Sequence, residues 1–532
     1  MNFSFEVPTL GTSSPHSTLI GPPPTMPDIR PVRSALISVY HKEGLDRLAL
    51  ALHERGIEIW STGGTRDFLE GLGVKTKKVE DLTGYPSILG GRVKTLHPKV
   101  FGGILHRSEH MDDLNEMAAH EIPPLDLVIV DLYPFEQTLL NGGTNAELIE
   151  KIDIGGISLL RAAAKNHLQC TVVSSARQYP RILNQILEQG GTSLAEREAY
   201  AAEAFAVTSH YDRAIFDYLN RDGLVPALRI SNDDAHVLRY GENPHQKASF
   251  YGPLDQHFEV LSGKALSYNN LLDVDAAVSL LSEFHDPTFV VIKHNNACGL
   301  ASRDHLTQAW KDALAGDPVS AFGGVLAANR CVDLECASAI DQIFYEVLIA
   351  PDFSAEAVEL LSRKKNRILL RLKSIPPSGI QVRSVLGGYL VQDPDSVTES
   401  TEDFKVVTRV APQPSEIEDM VFALKIVKHT RSNAIVLVRN RQLIGSGTGQ
   451  SSRIDAMRQA AHKARTFDFD VQGAVMASDA FFPFADSVEV AFQEGIRAVV
   501  QPGGSVKDQD SIDFCDRNNM AMVMTGRRHF KH

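Results

Sequence analysis

The chain has 532 residues and a mass of 58.3 kDa, enough for three or four folding units, and its 43% hydrophobic and 22% charged residues are those of an ordinary globular protein. A formal charge of −13 excludes a general nucleic-acid binder, which needs a broad cationic face, but leaves room for a small anion held by a few clustered Arg and Lys. Five scattered cysteines with no CxxC pair, and no apolar run approaching ~20 residues, exclude a disulfide scaffold, a zinc ribbon and a membrane-spanning helix. The setting they imply is reducing and cytoplasmic.

Residues 1–31 carry Pro8, Pro15, Pro22, Pro23, Pro24, Pro27 and Pro31 among Ser and Thr, with almost no charge. Such a composition cannot build a packed core and predicts a disordered extension. It has neither the basic start and apolar stretch of a secretory signal nor the arginines of a transit peptide. Ordered pattern begins just after Met26, a candidate start.

From Ser34, short apolar runs alternate with amphipathic stretches. SALISV (34–39) reads as a buried strand, LDRLALALHERG (45–56) as a helix ended by Gly56, and IEIW (57–60) as a second strand. LDLVIVDLYPF (125–135) contains a third, and a long Ala- and Glu-rich helix occupies 194–219. This alternation predicts an α/β unit with a mainly parallel sheet. Residues 220–234 read as a linker. The remainder again mixes strands, among them FVVIKH (289–294), AIVLV (434–438) and RAVVQP (497–502), with helices. The Pro-, Ser-, Asp- and Thr-rich stretch 373–416 divides it into two α/β lobes. The expected boundaries are 1–31, 32–225, 226–375 and 376–532.

Several clusters carry chemistry. STGGT (61–65) opens a helix with glycines, which leaves backbone N–H groups free for an anion; a plain strand–helix turn capped by Thr65 has the same pattern. In LGGRVKTLHPKVFGG (89–103), Arg92 and Lys94 share a face if the stretch is extended, and suit a phosphate or merely a solvated basic surface. In EKIDIGGISLLRAAAKNH (150–167), Asp153 precedes a Gly-Gly turn, and Lys165 sits near the helix end, where the dipole favours a cation. Tyr133, in DLYPF, follows a buried strand, where α/β sites form. Lys293 and His294 end another strand; a histidine there can accept a proton and a lysine can steady an oxyanion. RRHFKH (527–532) reads by itself as a solvated basic tail.

Together, STGGT, GGRVKTLHPK, DLYPF and IDIGG-x-x-LLRAAAKNH resemble the amino-terminal half of the bifunctional purine enzymes that join IMP cyclohydrolase to phosphoribosylaminoimidazolecarboxamide (AICAR) formyltransferase. LRYGENPHQ (238–246), IKHNNACG (292–299), SAFGG (320–324), VKHTRSNAI (427–435), GTGQSSRIDA (447–456), SDAFFPF (478–484) and RRHFKH extend the resemblance over about 33–532. It implies a methylglyoxal-synthase-like parallel-sheet domain, then a transformylase half of two cytidine-deaminase-like lobes. It also implies the last two steps of IMP synthesis. The formyl group passes from 10-formyltetrahydrofolate to AICAR, and the product closes to IMP with loss of water.

For ring closure the resemblance implies roles for Lys94, Tyr133, Asp153 and Lys165, with Ser38, Lys42, Thr62, Gly63, Gly64, Thr65, Arg92, Thr95, Asp131 and Ile154 around the nucleotide. For formyl transfer it implies Lys293 and His294, with Arg239, Tyr240, Gly323, Glu346, Asn433, Arg453, Phe481, Asp486, Ser505 and Arg528 holding nucleotide and folate. Phe530 is expected to anchor the tail in an apolar pocket. The implied partners are purine ribonucleotides, folate and a second copy of the chain, with no nucleic acid or membrane. No transition metal is expected, because the P-C-x-x-C of zinc deaminases is missing.

Two departures stand out. SVYHKEG (38–44) carries Tyr40 and Glu43 where the family has small hydroxyl residues, which restricts contacts at 40 and 41 to the backbone. A first half that merely binds nucleotide is the alternative those departures raise. Ala297 replaces the family's proline after the Lys-His pair, and a changed turn is expected there.

Overall fold

Apolar runs buried on both faces make the strands of the first half. The computed structural model describes residues 29–89 and 92–532, and the chain divides into two compact units between Asp233 and Asp234. Met26 and most of the expected extension lie outside the described residues. Ile29–Pro31, assigned to that extension from composition, instead form a strand antiparallel to Gly191–Ser193.

The first unit holds a five-stranded parallel sheet in the order Lys77–Lys78, Glu58–Ser61, Ser34–Ser38, Leu127–Val130, Thr171–Val173. Its three central strands bury Leu36, Ile37, Ile59, Leu127 and Ile129. A strand covered on both sides must be apolar at nearly every position, which is why LVIV shows no alternation. Helices Leu45–Glu54, Gly155–Lys165 and Tyr179–Gln189 supply Leu48, Leu52, Leu160, Ile182 and Ile186 to the same core. The helix Leu194–Leu219 begins with a capping box between Ser193 and Glu196.

The second unit is built on a twelve-stranded sheet. Two runs of like connectivity make it up. In the first, the hairpin Thr288–Lys293/Asn296–Ser302 is followed by Val325–Ala328, Val347–Ala350 and Ile368–Leu372. In the second, the hairpin Ile435–Arg439/Gln442–Gly447 is followed by Val475–Ser478, Ala498–Gln501 and Ala521–Met524. The runs join where Ala301 faces Gln442.

Side chains alternate across these strands. Val290, Ile292, Val436 and Val438 enter one core shared by both runs, covered by helices Tyr268–Leu281 and Pro414–Lys428. Phe289 and Val291 enter a second core, and Ile435 and Leu437 a third, on the opposite face. The stretch 373–416 carries a separate hairpin, Gln381–Val385/Gly388–Gln392, exposed along its whole length. No helix among the described residues is long and apolar enough to cross a membrane.

Candidate functional site

Ser34–Ser38, Glu58–Ser61 and Leu127–Val130 are neighbouring and parallel, so the segments leaving their carboxyl ends converge. That edge is where open α/β sheets take ligands. Half-buried Ser38 ends the central strand. Thr62 caps the helix Gly63–Gly71 by backbone geometry alone. Gly63 adopts φ +47, and a β-carbon on it would stand 3.4 Å from Lys94 Nζ. Lys94 therefore lies against the first turn of this helix, whose leading N–H groups at Gly63 and Gly64 favour an anion.

Thr65 is not the cap. Its hydroxyl donates to the Val39 carbonyl (2.8 Å) and accepts from the Val39 N–H (3.1 Å), which fastens the loop after the central strand. Asp131 accepts from the backbone N–H groups of Tyr40 and His41 and lies 2.9 Å from His41 Nδ1. The backbone donors at 40 and 41 are thus already engaged by a carboxylate. Lys42 donates to the carbonyls of Val39 and Tyr40, and burial lowers its pKa despite the nearby Asp131 and Glu43.

Asp153 is buried. Its carboxylate accepts from the N–H of Gly156 at 2.7 Å and from the backbone N–H of Tyr133, while its own N–H donates to Tyr211 Oη. A β-carbon on Gly156 would come within 2.6 Å of that carboxylate, so a larger residue would displace the Asp153 side chain. Burial raises the pKa of Asp153 above its ordinary value, against the hydrogen bonds from Gly156 and Tyr133. Burial, then Asp153 and Glu150, raise that of Tyr133. Buried Thr95 sits 3.2 Å from where a β-carbon on Gly155 would lie, tying the Lys94 segment to the same helix start, beside exposed Ile154.

Lys94, Thr95, residues 62–64, Tyr133 and Asp153 are therefore brought together. Two expected residues are not. Residues 92–94 are not an extended face: Val93 bridges Ile88, Arg92 turns to an exposed ion pair with Glu150, and Lys94 turns to Gly63. Lys165 is exposed at the far end of Gly155–Lys165, about 15 Å along the axis from Gly155 at 1.5 Å per residue. The lysine beside Tyr133 is instead Lys151, with Nζ 5.9 Å from that ring and 4.9 Å from Tyr40. The rings of Tyr40 and Tyr133 meet edge-on at 5.7 Å.

In the second unit the strand directions bring the remaining residues, Arg239 and Tyr240 apart, to one edge of one sheet. Lys293 ends a strand antiparallel to Val325–Ala328, so it meets Gly323, just before that strand, while Glu346 stands just before the next strand on the same edge. Lys293 Nζ donates to the carbonyls of Phe322 (2.9 Å) and Gly323 (3.0 Å). Glu346 pairs with Lys264 at 2.7 Å. His294 and Asn295 form a two-residue hairpin turn, both with positive φ, so the strand does kink at the Lys-His pair and His294 stands exposed at its tip. Asp273 holds the turn by accepting the N–H groups of His294 and Asn295, the latter at 2.7 Å. Buried Ala297 lies beyond the turn, in the returning strand opposite Ile292.

Asn433 and Arg453 belong to the other run. Buried Arg453 donates to Asn433 Oδ1 (2.8 Å) and Ser478 Oγ (2.9 Å) and is paired with buried Asp479. Phe481, Asp486 and Ser505 follow the carboxyl ends of Val475–Ser478 and Ala498–Gln501, and Arg528 follows Ala521–Met524. Exposed Arg239 donates to Tyr240 Oη at 2.9 Å. From the strand after Glu346 to the strand before Ser505 there are seven inter-strand steps, about 34 Å at ~4.8 Å each. The residues fall into two groups, one around Lys293 and one around Arg453.

The tail departs from expectation. Phe530 is 43% exposed, its ring under the Arg528 guanidinium at 4.8 Å. His529, 4% exposed, is the anchor instead. RRHFKH contains it, but nothing in that motif singles it out, because its partners Asp395 and Glu399 lie in the polar stretch 373–416.

Residues 44–158 match the MGS-like domain family, and residues 163–463 match the AICARFT/IMPCHase bienzyme family. The chain is similar to the bifunctional purine biosynthesis protein PurH of Bacteroides thetaiotaomicron, 57% identical over 508 residues that cover 95% of this chain and 100% of that one. The protein of the same name from Aquifex aeolicus is 46% identical over 513 residues, covering 94% and 100%. With more than half of its length in one family match and relatives aligned end to end, the chain belongs to the AICARFT/IMPCHase bienzyme family.

Proposed function

We propose that the two activities of this bifunctional purine-biosynthesis enzyme, AICAR formyltransferase and IMP cyclohydrolase, are worked by separate residue sets in separate units. The observation that carries this reading is segregation: Lys94, Tyr133 and Asp153 converge in the first unit, and Lys293, His294 and Arg453 share one sheet edge in the second.

In formyl transfer, 10-formyltetrahydrofolate is the donor and the 5-amino group of AICAR the acceptor. That amine is a weak nucleophile, its lone pair conjugated with the ring and carboxamide. His294 at the turn tip takes its proton. An ammonium has three donors, and two of Lys293's are held by carbonyls, so the third is directed at the developing formyl oxyanion. Arg528 and Arg239 are the cations for phosphate or carboxylate.

In ring closure, the carboxamide nitrogen attacks the formyl carbon and water leaves. Tyr133, a phenol whose pKa burial raises further, and Asp153 move the protons. Lys94 and the helix start at 63–64 hold the 5′-phosphate.

The working unit is a homodimer. Two features support this: the formyl-transfer residues spread over about 34 Å of sheet edge in one chain, and the hairpin 381–392 presents Leu386, Tyr389 and Leu390 to solvent. The test is a pair of assays on purified protein. IMP absorbance from chemically formylated AICAR without folate reads cyclisation alone, and tetrahydrofolate release reads formyl transfer alone. Absent cyclisation beside active formyl transfer would instead favour a first unit that only binds nucleotide.

A further inference from the structure

The imidazole of His529 is fixed at both nitrogens. Nδ1 lies 2.6 Å from Asp395 Oδ2 and Nε2 lies 2.8 Å from Glu399 Oε1, with Glu399 3% exposed. A neutral imidazole has one N–H and one lone pair, so it would turn that lone pair on a carboxylate; only the cation donates to both. The backbone around it is held as well. The His529 N–H donates to the Asp479 carbonyl (2.9 Å), the Ser432 N–H to the Lys531 carbonyl (2.9 Å), and the Lys531 N–H to Ser432 Oγ (3.0 Å). Asp479 pairs with Arg453, so the tail is stitched to the Arg453 group. Arg528, the residue before this clamp, stacks its guanidinium on the Phe530 ring and has no acid partner among the described residues.

We infer that His529 is a positioning residue for formyl transfer: as a cation bridging Asp395 and Glu399 it pins the C-terminal tail so that Arg528 is held ready for the AICAR nucleotide, and loss of its proton loosens the tail. This rests on the reading of Arg528 given above. The charged groups facing the ring from the neighbouring segments are Asp395 and Glu399; the Asp479 carboxylate is committed to Arg453, and Lys531 and Arg528 flank the ring along the chain. Burial pushes the imidazolium pKa down, but the two carboxylates outweigh it and the value rises above 6.5. With the folded value above the unfolded one, the clamp is complete below pH ~6.5 and is lost as pH rises through the higher folded value.

The test uses full-length protein and the variants His529→Gln, Asp395→Asn and Arg528→Ala. Hydrogen exchange of residues 525–532, corrected for the intrinsic pH dependence of exchange, reads the clamp. KM for AICAR against kcat reads its use. In the wild type, tail protection should hold at pH 6.5 and fall as the pH is raised above it. In His529→Gln it should already be lost at pH 6.5, with KM for AICAR raised about tenfold, as for a missing charge-assisted bond, and kcat within about threefold. Asp395→Asn, at a half-exposed partner, should show the same in milder form and guards against a folding defect. Tail protection unchanged in both variants overturns the clamp. Lost protection with unchanged KM overturns the positioning role; if Arg528→Ala also keeps its KM, the fault lies with the reading of Arg528.

Discussion

Lys94 Nζ lies 3.4 Å from the point where a β-carbon on Gly63 would stand, and Gly63 has φ +47. A β-carbon there would stand in ordinary van der Waals contact with the end of that lysine, so the strain of a substitution lies in the backbone. Gly63→Ala would have to hold a left-handed conformation that costs an L-residue about 1–2 kcal/mol, and relieving it would shift the helix start beside Lys94. The expected result is a KM for formylated AICAR raised about tenfold in the folate-free assay, each 1.4 kcal/mol being tenfold. Tetrahydrofolate release should be unchanged. Loss of both activities in a folded variant would count against separate sites.

His294 combines an exposed ring with φ +50 in a tight turn. Glycine at that position removes about 1 kcal/mol of backbone cost together with the imidazole. His294→Gly should therefore melt no lower than the wild type while formyl transfer falls about 10²–10⁴-fold, as for a lost general base. Cyclisation should persist. Near-normal formyl transfer in this variant would remove His294 from the reaction.

Glu283 joins two parts of the second unit. Its carboxylate accepts from Lys428 (2.8 Å) and Thr398 (2.7 Å) and lies 3.0 Å from His429 Nε2. Burial pushes its pKa up, but His429, Lys428 and Thr398 together bring it down to about 2. The unfolded value is near 4.3, so this stabilisation is complete above that pH and is lost as pH falls towards about 2. Urea unfolding at pH 7 and pH 3 should show Glu283→Gln about 3–5 kcal/mol less stable at pH 7, because Lys428 is left buried without its partner. The gap should shrink at pH 3. An equal gap at both values would show that the pair does not drive acid sensitivity.

Removing residues 528–532 is not a mild change. Composition alone suggests few lost contacts, yet truncation strips His529 from buried Glu399. The truncated protein should lose formyl transfer and also melt several degrees lower, an unpaired buried charge costing more than ~1–3 kcal/mol. Arg528→Ala should raise the AICAR KM without that loss of stability. Identical melting of truncated and full-length chains would contradict the anchoring role of His529.

Leu386 is fully exposed at the tip of an exposed hairpin. Leu386→Lys should weaken self-association, read by sedimentation across protein concentration, and reduce formyl transfer in parallel if the site is shared. Dissociation that leaves formyl transfer intact would confine the site to one chain.

The alternation of SALISV, LDRLALALHERG and IEIW was enough for the parallel sheet, because burial on both faces demands a local apolar run that any window of the chain displays. The helix Leu194–Leu219 was legible from its Ala- and Glu-rich composition, and the folded chain adds the Ser193–Glu196 capping box at its start. Motif content and order likewise carried the family and its two activities. What each charged side chain points at was not legible. Arg92 and Lys94 differ by two positions yet turn to Glu150 and Gly63, and His529 finds Asp395 from 134 residues away. A tail of Arg, His and Lys looks solvated until a polar stretch far upstream folds beside it and supplies the carboxylates. Periodicity is set by neighbours along the chain; partnership is set by strand order and direction, which only the folded sheet decides.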